Sequence, residues 1–124
     1  MKILIIEDDK FLRDLISQKL QHDGFAVKEA TDGESGLEAA LQDPPDLILL
    51  DLILPRLDGF AVLEKIKKDE KLKKTPVLVL SNLGQKDDVS RAILLGAEDF
   101  LIKSNFTLGE VVEKIKGILN KKYL

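Results

Sequence analysis

The chain has no cysteine, which excludes disulfides and thiolate metal sites and suits a reducing compartment. Its single histidine, His22, stands at the end of a helical stretch with no partner pattern and is assigned no role. It has no excess of positive charge: 19 Lys and Arg against 22 Asp and Glu leave a net charge of −3. That balance gives no electrostatic footprint for nucleic acid or an anionic membrane. No apolar run approaches the ~20 residues of a membrane span, and the start Met1-Lys2-Ile3-Leu4 lacks the architecture of a signal peptide. Repeats, linkers and low-complexity segments are missing too. What remains is 124 residues, 44% hydrophobic and 33% charged, a length and composition that suit one globular domain spanning 1–124. The expectation is a soluble cytoplasmic protein.

The stretch from Leu47 to Gly59 organises the rest. Leu47-Ile48-Leu49-Leu50 is a continuous apolar run, the pattern of a strand buried on both faces of a parallel sheet. It ends in a carboxylate, Asp51, and Pro55 and Gly59 then mark a turn before the next helix. Ligands of open α/β sheets bind outside the carboxyl ends of the strands, so this Asp is either a reactive group or a helix cap.

Along the chain, strand and helix patterns alternate. A strand over 2–6 runs into Glu7-Asp8-Asp9, and a helix follows with Leu12, Leu15, Ile16 and Leu20 at helical spacing, ending at His22-Asp23-Gly24. A weakly alternating strand over 25–30, nearer the sheet edge, precedes a helix over 33–41 that Asp32 can cap and Pro44-Pro45 ends. The third strand covers 46–50, and the third helix 59–68 turns Leu63 and Ile66 inward. The charged connection from Lys67 to Lys74 reads as solvated. The fourth strand, 77–80, ends in Ser81; a helix over 85–95 is closed by Gly96; the fifth strand, 99–102, is followed at once by Lys103. The last helix starts at Thr107, where Thr107-Leu108-Gly109-Glu110 has capping-box spacing, and its core face is Val111, Val112, Ile115, Ile118 and Leu119. Five strand–helix units imply an α/β doubly wound parallel sheet with helices on both faces.

The residues just past the apolar strands are Glu7 and Asp8, Asp51, Ser81 and Lys103. All lie at one edge of a parallel sheet, where they can converge. Three crowded carboxylates repel one another unless a cation sits among them, and an all-oxygen site suits Mg²⁺. A hydroxyl and an ammonium opposite suit an incoming anionic group, so together they describe a phosphoryl site. Each member also has a bland reading: Asp8 or Asp9 as the cap of the first helix, Ser81 as the cap of a turn, Lys103 as a solvated lysine. Asp58, Asp87 and Asp88 read as solvated surface. The constellation is stronger than any member.

Glu7-Asp8, Asp51 with Pro55 and Gly59 behind it, Ser81, and Lys103 preceded by Phe100 together resemble the response-regulator receiver domains of two-component signalling, including the single-domain, chemotaxis-regulator-like kind. The resemblance covers essentially the whole chain. It implies a flavodoxin-like (βα)5 sandwich with strand order 2-1-3-4-5 and a ligand crevice between strands one and three. It implies Asp51 as phosphoacceptor. The metal, Mg²⁺ or Mn²⁺ in its place, would be held by Asp51, by Asp8 directly, by Glu7 through water and by the Ile53 backbone carbonyl. Ser81 and Lys103 would bind the phosphoryl oxygens, and Phe100 would move with Ser81. The implied partners are a sensor histidine kinase or phosphotransfer protein and a downstream protein target that binds helix four, strand five and helix five. Neither nucleic acid nor membrane is a direct partner, and the protein is a monomer or a phosphorylation-dependent dimer.

The chain departs from the family pattern in places. Ser104 stands where the family usually has a proline in a cis peptide, and a cis bond before a non-proline residue costs about 2.5–4 kcal/mol. Asn82 and Leu83 put a bulkier pair beside the site than a glycine- or alanine-rich loop would. Ile53 and Leu83 occupy the two positions that flank the path of a hydrolytic water. Ile53 also stands where aspartyl-phosphate phosphatases carry a second, acid–base Asp, so the expected activity is self-phosphorylation with slow self-dephosphorylation and no multiple turnover. The alternatives are a receiver-like scaffold that acts without phosphorylation, or a receiver module cut from a longer DNA-binding regulator.

Overall fold

A computed structural model describes all residues, 1–124. The elements run β1 (Lys2–Ile6), α1 (Lys10–His22), β2 (Ala26–Ala30), α2 (Gly33–Gln42), β3 (Leu47–Leu50), α3 (Gly59–Lys68), β4 (Val77–Ser81), α4 (Lys86–Leu94), β5 (Asp99–Ile102), a single 3-10 turn (Lys103–Asn105) and α5 (Leu108–Tyr123). The five strands are all parallel, in the order β2-β1-β3-β4-β5. This is the doubly wound architecture that the alternation of patterns implies, with the flavodoxin-like strand order that the receiver resemblance implies. No helix is long and apolar enough to cross a membrane.

The apolar runs work because successive strand side chains point to opposite faces. Ile3, Ile5, Leu47, Leu49, Leu78 and Leu80 pack with α1 and α5; Leu4, Ile6, Ile48, Leu50, Val77 and Val79 pack with α2 and α3 on the other side. Two separate cores, one per sheet face, therefore need no alternation in β1, β3 or β4. The edge strand β2 is largely exposed and reads as weakly apolar for that reason.

Helix starts are set by side-chain caps. Asp9 accepts from Leu12 N–H, Asp32 from Ser35 N–H, and Thr107 and Glu110 form the expected capping box. Asp58 is exposed, as read, and in addition caps a helix, accepting from Phe60 and Ala61 N–H at the start of α3. The Lys67–Lys74 connection is not simply solvated either. Leu72 is fully buried, and the Lys67 ammonium, half-buried, donates to the carbonyls of Thr75 at 2.6 Å and Lys73 at 3.3 Å. Leu15, expected inward, lies at the solvent border of α1, and Phe11 one turn earlier is exposed. Helix α4 is the least anchored: it buries only Ala92, its N-cap residue Gln85 makes no side-chain cap, and Arg91 stacks over the Phe60 ring at 4.1 Å. The Lys103–Ser104 bond is trans, and the chain turns there through the 3-10 turn.

Candidate functional site

Strand β1 pairs with β3, yet α1 leaves to one face of the sheet and α3 to the other. Their loops diverge and open a crevice at the carboxyl edge. Glu7 and Asp8 leave β1 on one side of it, and Asp51 leaves β3 on the other. Each of the three offers a carboxylate oxygen, and these oxygens lie within 4.8 Å of one another. Glu7 and Asp51 are buried, whereas Asp8 is exposed.

Lys103, just past β5, reaches across to both buried acids. Its Nζ lies 2.7 Å from Glu7 Oε1 and 2.9 Å from Asp51 Oδ2, with the lysine side chain only 16% exposed. The bland reading of this residue as solvated does not hold. Asp51 Oδ1 accepts from Ile53 N–H at 3.2 Å, and Glu7 Oε2 from Asp9 N–H at 3.1 Å. Burial, reinforced by the neighbouring Asp51 charge, pushes the Glu7 carboxyl up to about 7 even though the Lys103 hydrogen bond pulls it down. Burial likewise works against the Lys103 ammonium, but its bonds to Glu7 and Asp51 win and hold it above the usual lysine range. Two buried acids and an exposed third share one ammonium. That charge balance and the hard oxygen donors fit a divalent cation such as Mg²⁺.

Ser81 closes β4, fully buried, with its Oγ accepting from Leu83 N–H at 3.3 Å. The turn-capping role read for it is thus present alongside its place at the strand end. Phe100 is half-buried against the core on the α2, α3 and α4 side of the sheet, in register with Val79, two residues before Ser81 on the same side of β4. Leu83 packs partly against that same core, while Ile53 is 53% exposed at the mouth.

The β3–α3 loop comes close to the site because of Gly59. A Cβ there would collide with the backbone of Asp51 and Leu52, and Gly59 N–H bonds the Leu52 carbonyl at 2.9 Å. Arg56 in the same loop takes a left-handed conformation, φ 71°, uncommon for a residue with a Cβ. One participant went unread in the sequence. Arg13, on α1, donates from Nη1 to the Glu7 carbonyl at 2.8 Å. Its position on the inward stripe shared by Ile16, Ser17 and Leu20 is the signal that could have found it.

Comparison with known proteins agrees with this geometry. Residues 3–116 match the family model described as response regulator receiver domain. The DNA-binding dual master transcriptional regulator RpaA of Synechocystis is 41% identical over 97% of this chain and 49% of that protein. The transcriptional activator protein PfeR of Pseudomonas aeruginosa is 38% identical over 97% of this chain and 38% of its own length. The chain thus spans about half, or less, of the curated relatives it matches. Among solved structures, a CheY-like receiver domain protein from Methanospirillum hungatei superposes with TM-score 0.90 at 26% identity, covering 97% of this chain and 94% of that one. The Mn(2+)-bound form of response regulator Rcp1 gives 0.81 at 32% identity, with 94% and 90% covered. With crevice, acid cluster, lysine and family match in agreement, the chain belongs to the response regulator receiver domains of two-component signalling.

Proposed function

We propose that this chain is a phosphorylation-activated switch in which Asp51 accepts a phosphoryl group from the phosphohistidine of a sensor histidine kinase or phosphotransfer protein. The observation that carries the reading is Lys103 Nζ bridging Asp51 and Glu7 with Asp8 beside them. In the transfer, a carboxylate oxygen of Asp51 forms the new O–P bond in line as the P–N bond breaks, and the electron pair leaves with the imidazole nitrogen. Lys103 is already aimed at Asp51 and can follow the incoming oxygens with its ammonium. Ser81 can turn its hydroxyl from the Leu83 amide to a phosphoryl oxygen.

Asp8, Asp51, Glu7 through water, and the Ile53 carbonyl are the groups that would hold Mg²⁺, or Mn²⁺ in its place. When bound, the cation offsets charge on the transferring oxygens. The Mn(2+)-bound form recorded for the related Rcp1 supports a divalent site in this fold. The acyl phosphate adds about −1.5 to −2 of charge at the crevice. Ser81 moving toward it frees space for Phe100, and α4, held by little but Ala92 and the Arg91–Phe60 stack, is the element free to respond. The binding face changed by that response would be α4, β5 and α5. Transfer of label from a phosphodonor in Mg²⁺, and none in chelator, tests the reading.

A second reading concerns the whole protein. Because the chain covers about half of transcriptional regulators such as RpaA, it is also suited to be the receiver module of a longer DNA-binding regulator. Expression of the intact gene product, sized by mass spectrometry, separates this from a single-domain protein.

The phosphorylated form is expected to be long-lived. Ile53 stands at the mouth and Leu83 packs beside it, and neither can hydrogen-bond an attacking water. Ile53→Asn with Leu83→Glu should shorten the phosphoprotein lifetime by roughly tenfold, less than the ~10²–10⁴-fold of a fully positioned acid or base, because these side chains only recruit the water. Decay is followed after donor removal, and wild type decaying as fast as the variant would discard these positions as the control.

A further inference from the structure

Beyond the residues that meet the ligand, we infer that Arg13 and Glu29 form a positioning pair that sets how tightly the acid cluster holds its divalent cation. The inference rests on the cation-binding reading above. At the end of β1 the chain leaves the sheet, and the Glu7 carbonyl receives no backbone hydrogen bond. Its one protein donor is Arg13 Nη1, at 2.8 Å. That carbonyl shares a rigid peptide plane with the Asp8 N–H. A grip on it therefore fixes the direction in which the chain presents the Asp8 carboxylate, the exposed and otherwise least constrained member of the cluster.

The guanidinium is itself held from behind. Arg13 Nε donates to Glu29 Oε1 on β2 at 3.1 Å, and the Arg13 side chain is only 11% exposed. Glu29 Oε2 accepts in turn from the Ser17 hydroxyl at 3.4 Å, with Ser17 buried on the same helix. The planar fork of Arg fits this double duty, Nε–H to a carboxylate and Nη1–H to a carbonyl. Glu29 does more than orient it. Paired with Glu29, the guanidinium is neutralised; released, it is a free cation one turn from Asp9, whose carbonyl Arg13 N–H bonds at 2.9 Å, and competes with the metal for the carboxylates at the end of β1. Removing either partner should weaken the metal site, by different routes: loss of the carbonyl grip in one case, a freed competing cation in the other.

The test is calorimetric titration of Mg²⁺ into the purified chain without phosphodonor, for wild type, Arg13→Met, Arg13→Lys and Glu29→Gln. Outer partners of metal ligands typically change affinity 10–100-fold, so the Met and Gln variants are expected to raise the Mg²⁺ Kd about tenfold. Lysine can reach one acceptor but not both, and should fall between. In labelling assays the half-saturating Mg²⁺ should rise in parallel while the rate at saturating Mg²⁺ stays within about twofold, a split that mere loss of folded protein does not produce. Should Arg13→Met fail to fold, Glu29→Gln decides. A Kd within twofold of wild type in the folded variants overturns the positioning role. Absence of Mg²⁺ binding in wild type overturns the cation-binding reading itself, and this inference with it.

Discussion

Asp51→Asn is expected to accept no phosphoryl group from acetyl phosphate in Mg²⁺, a fall of at least about 100-fold, to the level of wild type in chelator. The substitution keeps the size and planarity of the side chain. Its amide oxygen can still accept from the Ile53 N–H or the Lys103 ammonium, which now contact Asp51 at 3.2 Å and 2.9 Å. What disappears is the anionic oxygen that forms the O–P bond, together with one charge of the cluster. Glu7 and Asp8 cannot easily substitute. Glu7 is buried and bound to Lys103 and the Asp9 amide, and Asp8 lies out at the solvent edge. The measurement is intact mass after incubation with donor, with hydroxylamine lability to identify an acyl phosphate. A full phosphoryl increment on the Asn variant would remove Asp51 from the role of acceptor.

The sheet was legible because its central strands are buried on both faces, so Leu47 to Leu50 are uniformly apolar, and because such runs alternate with helical patterns along the chain. The caps at Asp9, Asp32 and Thr107 were legible because each is a local device within four residues of sequence. Asp58 is equally local and directly precedes the helix read over 59–68, so the same capping rule applies to it, beyond its reading as surface charge. The convergence of Glu7, Asp8, Asp51 and Lys103 followed from topology alone, since parallel strands end on the same edge. The distances within the cluster, and the fact that Asp8 alone is exposed, did not.

Other features depend on what lies across from a residue and leave no trace in spacing. Leu72 sits in a run of lysines and acids, and only its fully buried place in the folded turn gives it a role. Leu15 has helical spacing with Leu12 and Ile16, but one helix face can border solvent, and a 100° step per residue puts Leu15 at that border. Arg13 takes its role from Glu29 and the Glu7 carbonyl facing it, neither of which its own spacing reveals.

Lys103→Met is expected to lower the melting temperature in chelator at about pH 8 by roughly 8 °C, and excess Mg²⁺ should restore most of it. Leaving a buried charge without its partner costs about 3–5 kcal/mol where relaxation is poor. Here the site opens to solvent at Asp8, and protonation of Glu7 offers an escape, so about 2 kcal/mol is the reasonable share. For a chain of this length that corresponds to roughly 8 °C. Asp51→Asn should move the other way, by a few degrees upward in chelator, because the negative charge beside Glu7 is then gone; Asp8→Asn should move little, its carboxylate being solvated. The pH dependence has a definite sign. Glu7 is held at about 7 in the folded chain against an ordinary 4.5, so the folded state binds its proton more tightly. Stability from that proton is present below about pH 4.5 and lost as pH rises toward 7. Without the Lys103 ammonium Glu7 holds its proton more tightly still. The gap between wild type and Lys103→Met should therefore be small near pH 5 and widen toward pH 8. Thermal unfolding at both pH values, with chelator and with Mg²⁺, measures it. Equal melting temperatures in chelator at pH 8, or a gap that Mg²⁺ leaves unchanged, would refute the account of one ammonium holding two buried carboxylates in the place of a cation.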